Sequence, residues 1–412
     1  MKQPIGQSDK KLLVLTYYWP PLGGPGSLRP VKFAKYLPSF GITPIILTRK
    51  NVAYHSFDDE IGRDVRNVKV LRTCSMDPAR ILYLLGMRNY SVSRWHGPIK
   101  RTINFPDNKT PWVPFALSAA RKTGFDAIFA TAPPFSTFIT GYYLARISGK
   151  PLIVDFRDAW LEFPFMPYKG RLQKEFVRNW ERKVVNIASL IIVVDDNISN
   201  SLLDRYPQIR DKICVIPNGY DPDDFKRTEE PDRFTISYLG TVRKERNPEN
   251  ILKAISHVMS KNRLDKDRIR FRFIGYVEER FLRIIKNYNF VELTGHLPYK
   301  KAIDIFCNSH LAVLITTGSE YFFPSRQNEY LASGLPIIVC GRSKGLHMLS
   351  GALEKGYPGW IFDFDDIDGM TKRFSDLYGK YRKGIVIKGK TPYQAYTRKN
   401  LTRILAEKIN KI

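Results

Sequence analysis

Three stretches of the 412-residue sequence carry residues spaced for chemistry. In YYWPPLGGPGSLRP, Gly23, Gly24 and Gly26 let backbone come close to a ligand, and Ser27 is placed to cap a helix running from Leu28. Free N–H groups at such a helix start attract an anion, so the loop reads as a phosphate cradle. A dinucleotide fingerprint would need a third glycine where Arg29 stands, and the next strand ends in Thr48-Arg49 where an acidic ribose ligand would be expected. Both features argue against a nicotinamide enzyme. In DFRDAW, Asp155 and Asp158 flank Arg157 directly after an apolar strand. Carboxylates around a guanidinium orient hydroxyls and suit a polyol; the alternative is a buried Asp–Arg pair that closes the loop. In TTGSEYFFPSRQNEYLASGLPIIV, Pro324-Ser325 should start a helix ending at Gly334, with Arg326 in its first turn and Glu329 about one turn in. Arginine there suits a diphosphate, and the carboxylate can accept both hydroxyls of a ribose.

These loops need a scaffold, and the chain alternates short apolar runs with helical periodicity throughout. Strands are expected at Leu12 to Tyr18, Ile45 to Thr48, Asp126 to Thr131, Leu152 to Asp155, Leu190 to Val194 and Cys214 to Ile216. They are apolar on both faces, as a parallel sheet covered by helices requires. Between Pro217 and Arg233 the sequence is rich in Asp, Glu and Pro and has no periodicity, which marks a domain boundary. The pattern restarts at Phe234 to Leu239, Ile269 to Ile274, Leu311 to Ile315 and Ile337 to Val339, and the chain closes on an amphipathic helix. Two doubly wound α/β domains are expected, residues 1–219 with the closing helix at about 390–412, and residues 232–389. Four scattered cysteines read as buried thiols, and six histidines show no ligand spacing.

In these motifs the chain resembles the family 4 glycosyltransferases of GT-B fold over almost its whole length. The matching pieces are PPLGGPGSLRPVKFAKYLPSFGITPIILT, DFRDAW, VIPNGYDPDDF, YLGTVRKERNPENILKA and PSRQNEYLASGLPIIV. The resemblance implies two Rossmann-like domains facing a central cleft, acceptor on the first, nucleotide-sugar donor on the second, and a last helix crossing back to the first. It implies a retaining transfer with no cofactor beyond a UDP- or GDP-linked sugar. By position, the ribose glutamate matches Glu329 and the basic residue before it Arg326, with Thr317 and Gly318 opening the same donor loop. Arg246 stands for the family's lysine, Thr241 replaces its arginine, and Glu320 lies one residue off its other glutamate. Where many members carry a catalytic histidine this chain reads TAPPFST, so Asp158 or Arg157 would substitute. Asp221-Pro-Asp223 has the spacing of a metal-binding Asp-x-Asp but matches the family's NGxD turn, so no metal is expected.

Net charge selects partners. Lys and Arg number 66 against 40 Asp and Glu, a formal charge of +26. The excess suits a polyanion, yet the aromatics do not interleave with the basic residues, which argues against nucleic acid. Residues 76–101 mix Ile81, Leu82, Leu84, Leu85 and Trp95 with Arg80, Arg88 and Arg94, the blend of a lipid interface. No apolar run is long enough to span a membrane, and the opening MKQPIGQSDKK has no signal-peptide core. The expectation is a cytoplasmic enzyme attached to the inner face of the cell membrane, extending a lipid-linked glycan. The rival is an inactive GT-B-like protein that only binds a membrane or polyanion.

Overall fold

The computed structural model describes residues 10–88, 106–162, 168, 170–244, 246–263, 267–316, 326–343, 346–389 and 394–412. The chain forms two compact units, Met1–Asn218 with Arg398–Ile412, and Gly219–Thr397.

The first unit contains β1 (Lys10–Leu15), α1 (Pro25–Tyr36), β2 (Ile42–Arg49), α2 (Asp59–Arg63), β3 (Lys69–Thr73), α3 (Pro78–Leu84) and α4 (Val113–Ala120). It continues through β4 (Ala127–Ala132), α5 (Ser136–Ser148), β5 (Leu152–Phe156), α6 (Arg171–Ile187), β6 (Leu190–Val193), α7 (Asp196–Arg205) and β7 (Ile213–Val215). The strands pair in parallel in the order β3-β2-β1-β4-β5-β6-β7. The order reverses between β1 and β4, so the loops after these strands flank a switch point, the place where open α/β sheets bind ligands. Every residue of β4 and β5 is buried, which explains their apolar runs.

The second unit repeats the plan with β8 (Phe234–Leu239), α8 (Glu249–Lys261), β9 (Ile269–Ile274), α9 (Glu279–Ile285), β10 (Val291–Gly295) and α10 (Tyr299–Cys307). It ends with β11 (Leu311–Ile315), α11 (Gln327–Ala332), β12 (Ile337–Cys340), α12 (His347–Glu354), β13 (Gly359–Phe362) and α13 (Ile367–Arg382). Its parallel order is β10-β9-β8-β11-β12-β13, with the switch between β8 and β11.

Helix α14 (Arg398–Asn410) returns to the first unit, where Leu401, Leu405 and Ile409 are buried. The Lys10 ammonium donates to the Ile409 carbonyl at 2.8 Å, satisfying a helix-end acceptor. The cysteines divide: Cys307 and Cys340 are buried, but Cys74 is exposed, because it follows β3 at the edge of its sheet. Among the described residues no helix is long and apolar enough to cross a membrane.

Candidate active site

The glycine loop after β1 is built differently from its sequence expectation. Helix α1 starts at Pro25, not Leu28, because proline's fixed φ suits a first helical position. Gly24, at φ 87°, takes the cap position and Ser27 lies buried inside the helix. The three glycines serve different ends. A Cβ on Gly23 would sit 2.8 Å from the Ser56 hydroxyl, and its N–H already donates to the Ser56 carbonyl at 2.9 Å. A Cβ on Gly26 would press 3.0 Å from the Tyr18 ring, whereas Gly24 faces open space. Of Gly23 and Gly24, then, it is Gly24 that leaves room for a ligand beside the backbone.

Arg29, standing where a dinucleotide fingerprint needs glycine, is buried and forks onto Asp155, with Nη2 2.8 Å from Oδ1 and Nε 3.1 Å from Oδ2. Thr131 donates to the same carboxylate at 2.7 Å, and Arg29 also donates to the carbonyls of Ile216 and Pro217, both at 2.9 Å. The buried Asp–Arg pair weighed for DFRDAW therefore exists, but the arginine is Arg29 instead of Arg157. Asp155 is thereby committed to structure through its bonds to Arg29, while its charge and that of Asp158 both act on Arg157.

Arg157 braces the loops. Its Nη1 donates to the Gly26 carbonyl at 2.6 Å, its Nε to Ala132 at 3.2 Å, and its Nη2 to Pro133. The Gly26 contact has a local cause: Pro30, four residues on, has no N–H to offer that carbonyl, and Arg157 supplies the donor. Asp158 is half-buried and faces Arg157 and Asp195. Burial, opposed by Arg157 and reinforced by the Asp195 carboxylate, pushes its carboxyl up to about 6. A group poised there can exchange protons near neutral pH. Asp195 itself caps α7, accepting from the Ile198 N–H at 2.9 Å.

In the second unit Arg246 and Arg326 both act electrostatically on one phenol. Burial pushes the Tyr238 hydroxyl above its usual range, and Arg246 first, then Arg326, pull against that shift. The hydroxyl donates to the Thr241 carbonyl at 3.2 Å, and Arg246 reaches the same carbonyl at 3.4 Å. Helix α11 begins at Gln327, so Arg326 is its cap residue instead of lying in the first turn, and Glu329 falls within that turn, buried. Sequence reasoning passed over Tyr330. Its hydroxyl accepts the Leu239 N–H at 2.9 Å and donates to the Val313 carbonyl at 2.8 Å. It thus pins α11 onto the end of β8 and the middle of β11, next in sequence to Glu329; an aromatic with a polar tip inside the run EYLA was the available signal. Thr317, Gly318 and Glu320 lie outside the described residues. Asp221 accepts the Asp223 N–H at 3.3 Å and so caps a short turn.

Two parallel Rossmann-like sheets thus carry the candidate groups, the first the glycine loop and Asp158, the second Arg246, Arg326 and buried Glu329. Residues 31–224 match the model of Glycosyltransferase Family 4, and residues 220–383 that of Glycosyl transferases group 1. The chain belongs to the family 4 glycosyltransferases. No curated protein matches it in sequence. Among solved structures it is similar to HepE of Anabaena in complex with UDP-glucose, at 14% identity and TM-score 0.62, over 98% of this chain and 100% of that one. A glycosyltransferase of Rickettsia africae follows at 11% and 0.57, over 98% and 94%. The lipopolysaccharide outer core galactosyltransferase WaaB gives 12% and 0.55, over 98% and 99%. At these identities the likeness is one of fold.

Proposed function

We propose that this glycosyltransferase moves a sugar, with retention of configuration and without a metal ion, from a UDP- or GDP-linked donor to a lipid-linked glycan of a bacterial surface polysaccharide. The observation that carries the donor half is that Arg326 and buried Glu329 stand together at the start of α11 while Arg246 and Arg326 both act on the Tyr238 phenol. Glu329 accepts the ribose hydroxyls. As the bond from the sugar's C1 to the diphosphate breaks, the charge on the departing oxygen meets the two guanidinium groups, which do the work a metal would otherwise do. The acceptor oxygen bonds C1 from the same face and its proton passes to the departing diphosphate, while Asp158 orients the acceptor hydroxyl. Glu320, with Thr317 and Gly318, completes the donor loop in this reading. The complexes of HepE with UDP and UDP-glucose support a uridine donor, and WaaB's action on lipopolysaccharide supports a surface-glycan acceptor.

Attachment to the inner face of the membrane is part of the same reading. No residue of α3 is buried, and Met76, Ile81, Leu84, Leu85 and Met87 stand exposed around it beside Arg80 and Arg88. The remainder of that segment, from residue 89, lies outside the described residues. A panel of nucleotide sugars tests the reading: one UDP- or GDP-sugar should raise the melting temperature and turn over undiminished in chelator. Turnover that stops in chelator and returns with manganese would replace the arginine mechanism by a metal one at Asp221 and Asp223.

A further inference from the structure

One flank of the first unit carries an apolar stripe that the fold leaves open. On α6, Leu172, Phe176 and Trp180 recur every fourth residue, offset by one position from Val177, Glu181 and Val185, which are buried, and the row itself enters the core at Val184. Trp180 wedges against Tyr142 and Tyr143 of α5, with ring centroids 5.6 and 5.7 Å apart, and Phe176 follows at 6.5 Å. From there the stripe runs into solvent: Leu172 is 86% exposed, Ile147 50%, and Phe176 and Tyr143 42% each. Exposed cations stand on these two helices or directly after them, Arg146, Lys150, Arg171, Lys174, Arg182 and Lys183, the last with its ammonium 4.9 Å from the Trp180 ring centroid. The acids of these two helices do not offset them, since Glu175 is held by Arg178 at 2.5 Å and Glu181 is buried against Arg205.

We propose that this α5–α6 face beds into an anionic lipid leaflet. The inference rests on the peripheral-membrane reading above but uses a surface separate from α3. Aromatic rings over aliphatic tips, rimmed by long basic side chains that keep their charges in water, fit the headgroup boundary of a bilayer. Charge selects this occupant over a second copy of the chain, because two such rims would repel while lipid phosphates attract them. The placement serves the chemistry. Helix α6 follows β5, and in a parallel α/β unit the helix starts at the edge where the strands end, the edge that holds Asp158. Leu172, in the first turn of α6, lies toward that edge, so a leaflet bedded here presents its headgroups to the acceptor side.

The test is flotation of the full chain with vesicles of phosphatidylglycerol and phosphatidylcholine, against phosphatidylcholine alone, with brominated acyl chains as tryptophan quenchers. The wild type should float with the anionic vesicles and its emission be quenched, and Trp180→Phe should remove most of that quenching. Leu172→Glu with Phe176→Glu should weaken vesicle binding at least tenfold while leaving the melting temperature and donor hydrolysis unchanged. If the wild type floats but the double variant and a Leu84→Glu control float differently, with only the control impaired, the α5–α6 proposal falls and attachment through α3 stands. A wild type that stays at the bottom of the gradient overturns both. A wild type that is dimeric, with a monomeric double variant, makes the face a self-contact and overturns the proposal.

Discussion

Asp158 is the side chain whose state should govern the pH profile. Its carboxyl is raised from about 3.8 to about 6 in the folded chain, so the fold favours the protonated form. The stability this gives is complete below the unfolded value and is lost as pH rises through about 6. Asp158→Asn should therefore melt higher than the wild type at pH 8 and equal to it near pH 4. If Asp158 orients the acceptor as a carboxylate, the acid limb of kcat near pH 6 should vanish in this variant, with kcat down on the order of 100-fold. An unchanged limb would move the titrating group elsewhere. On the donor side, Glu329→Ala should weaken nucleotide binding by about 1 to 3 kcal/mol, the cost of unmade buried contacts, as read by calorimetry. Wild-type affinity in that variant would remove Glu329 from the site.

At the scale of elements, two ties decide whether the loops stand in place. Tyr330→Phe would leave the buried Leu239 N–H without its acceptor, at a cost of about 1 to 3 kcal/mol, and the melting temperature should fall while α11 loosens. Arg157→Ala should cost a comparable amount, since the Gly26 and Pro133 carbonyls lose this donor while Ala132 keeps the main-chain N–H of residue 157; a melting temperature equal to the wild type's would mean that water replaces the brace fully. These ties also mark where sequence reading stops. The central strands were legible because both their faces are covered and their residues are apolar without interruption. Three edge strands, β3, β10 and β13, were not: KVLRT, VELTG and GWIF are partly exposed and carry no run or clean alternation. The placement of Arg326 and Glu329 at a helix start was legible from the helix signals around them. The pairing of Arg29 with Asp155, 126 residues apart, and the reach of Arg157 to Gly26, 131 residues away, arise from chain crossings that spacing does not encode.

Over the whole molecule, the formal charge of +26 makes association with an anionic surface salt-dependent. Binding to anionic vesicles should be strong at 50 mM salt and largely lost by about 0.5 M, where screening lengths shrink to a few ångströms. Binding that persists at high salt would mean that apolar insertion dominates. The return of α14 to the first unit bears on biosynthesis. The helix that buries Leu401, Leu405 and Ile409 on the first-made unit is translated after the whole of the second unit. The nascent first unit thus waits, with an apolar seam uncovered, while the entire second unit is made, and the second can complete its own sheet in the meantime. A chain ending at Thr397 should keep a cooperative transition for the second unit and show an earlier, weaker one for the first. In effect, the N-terminal half is completed only after its neighbour has been made.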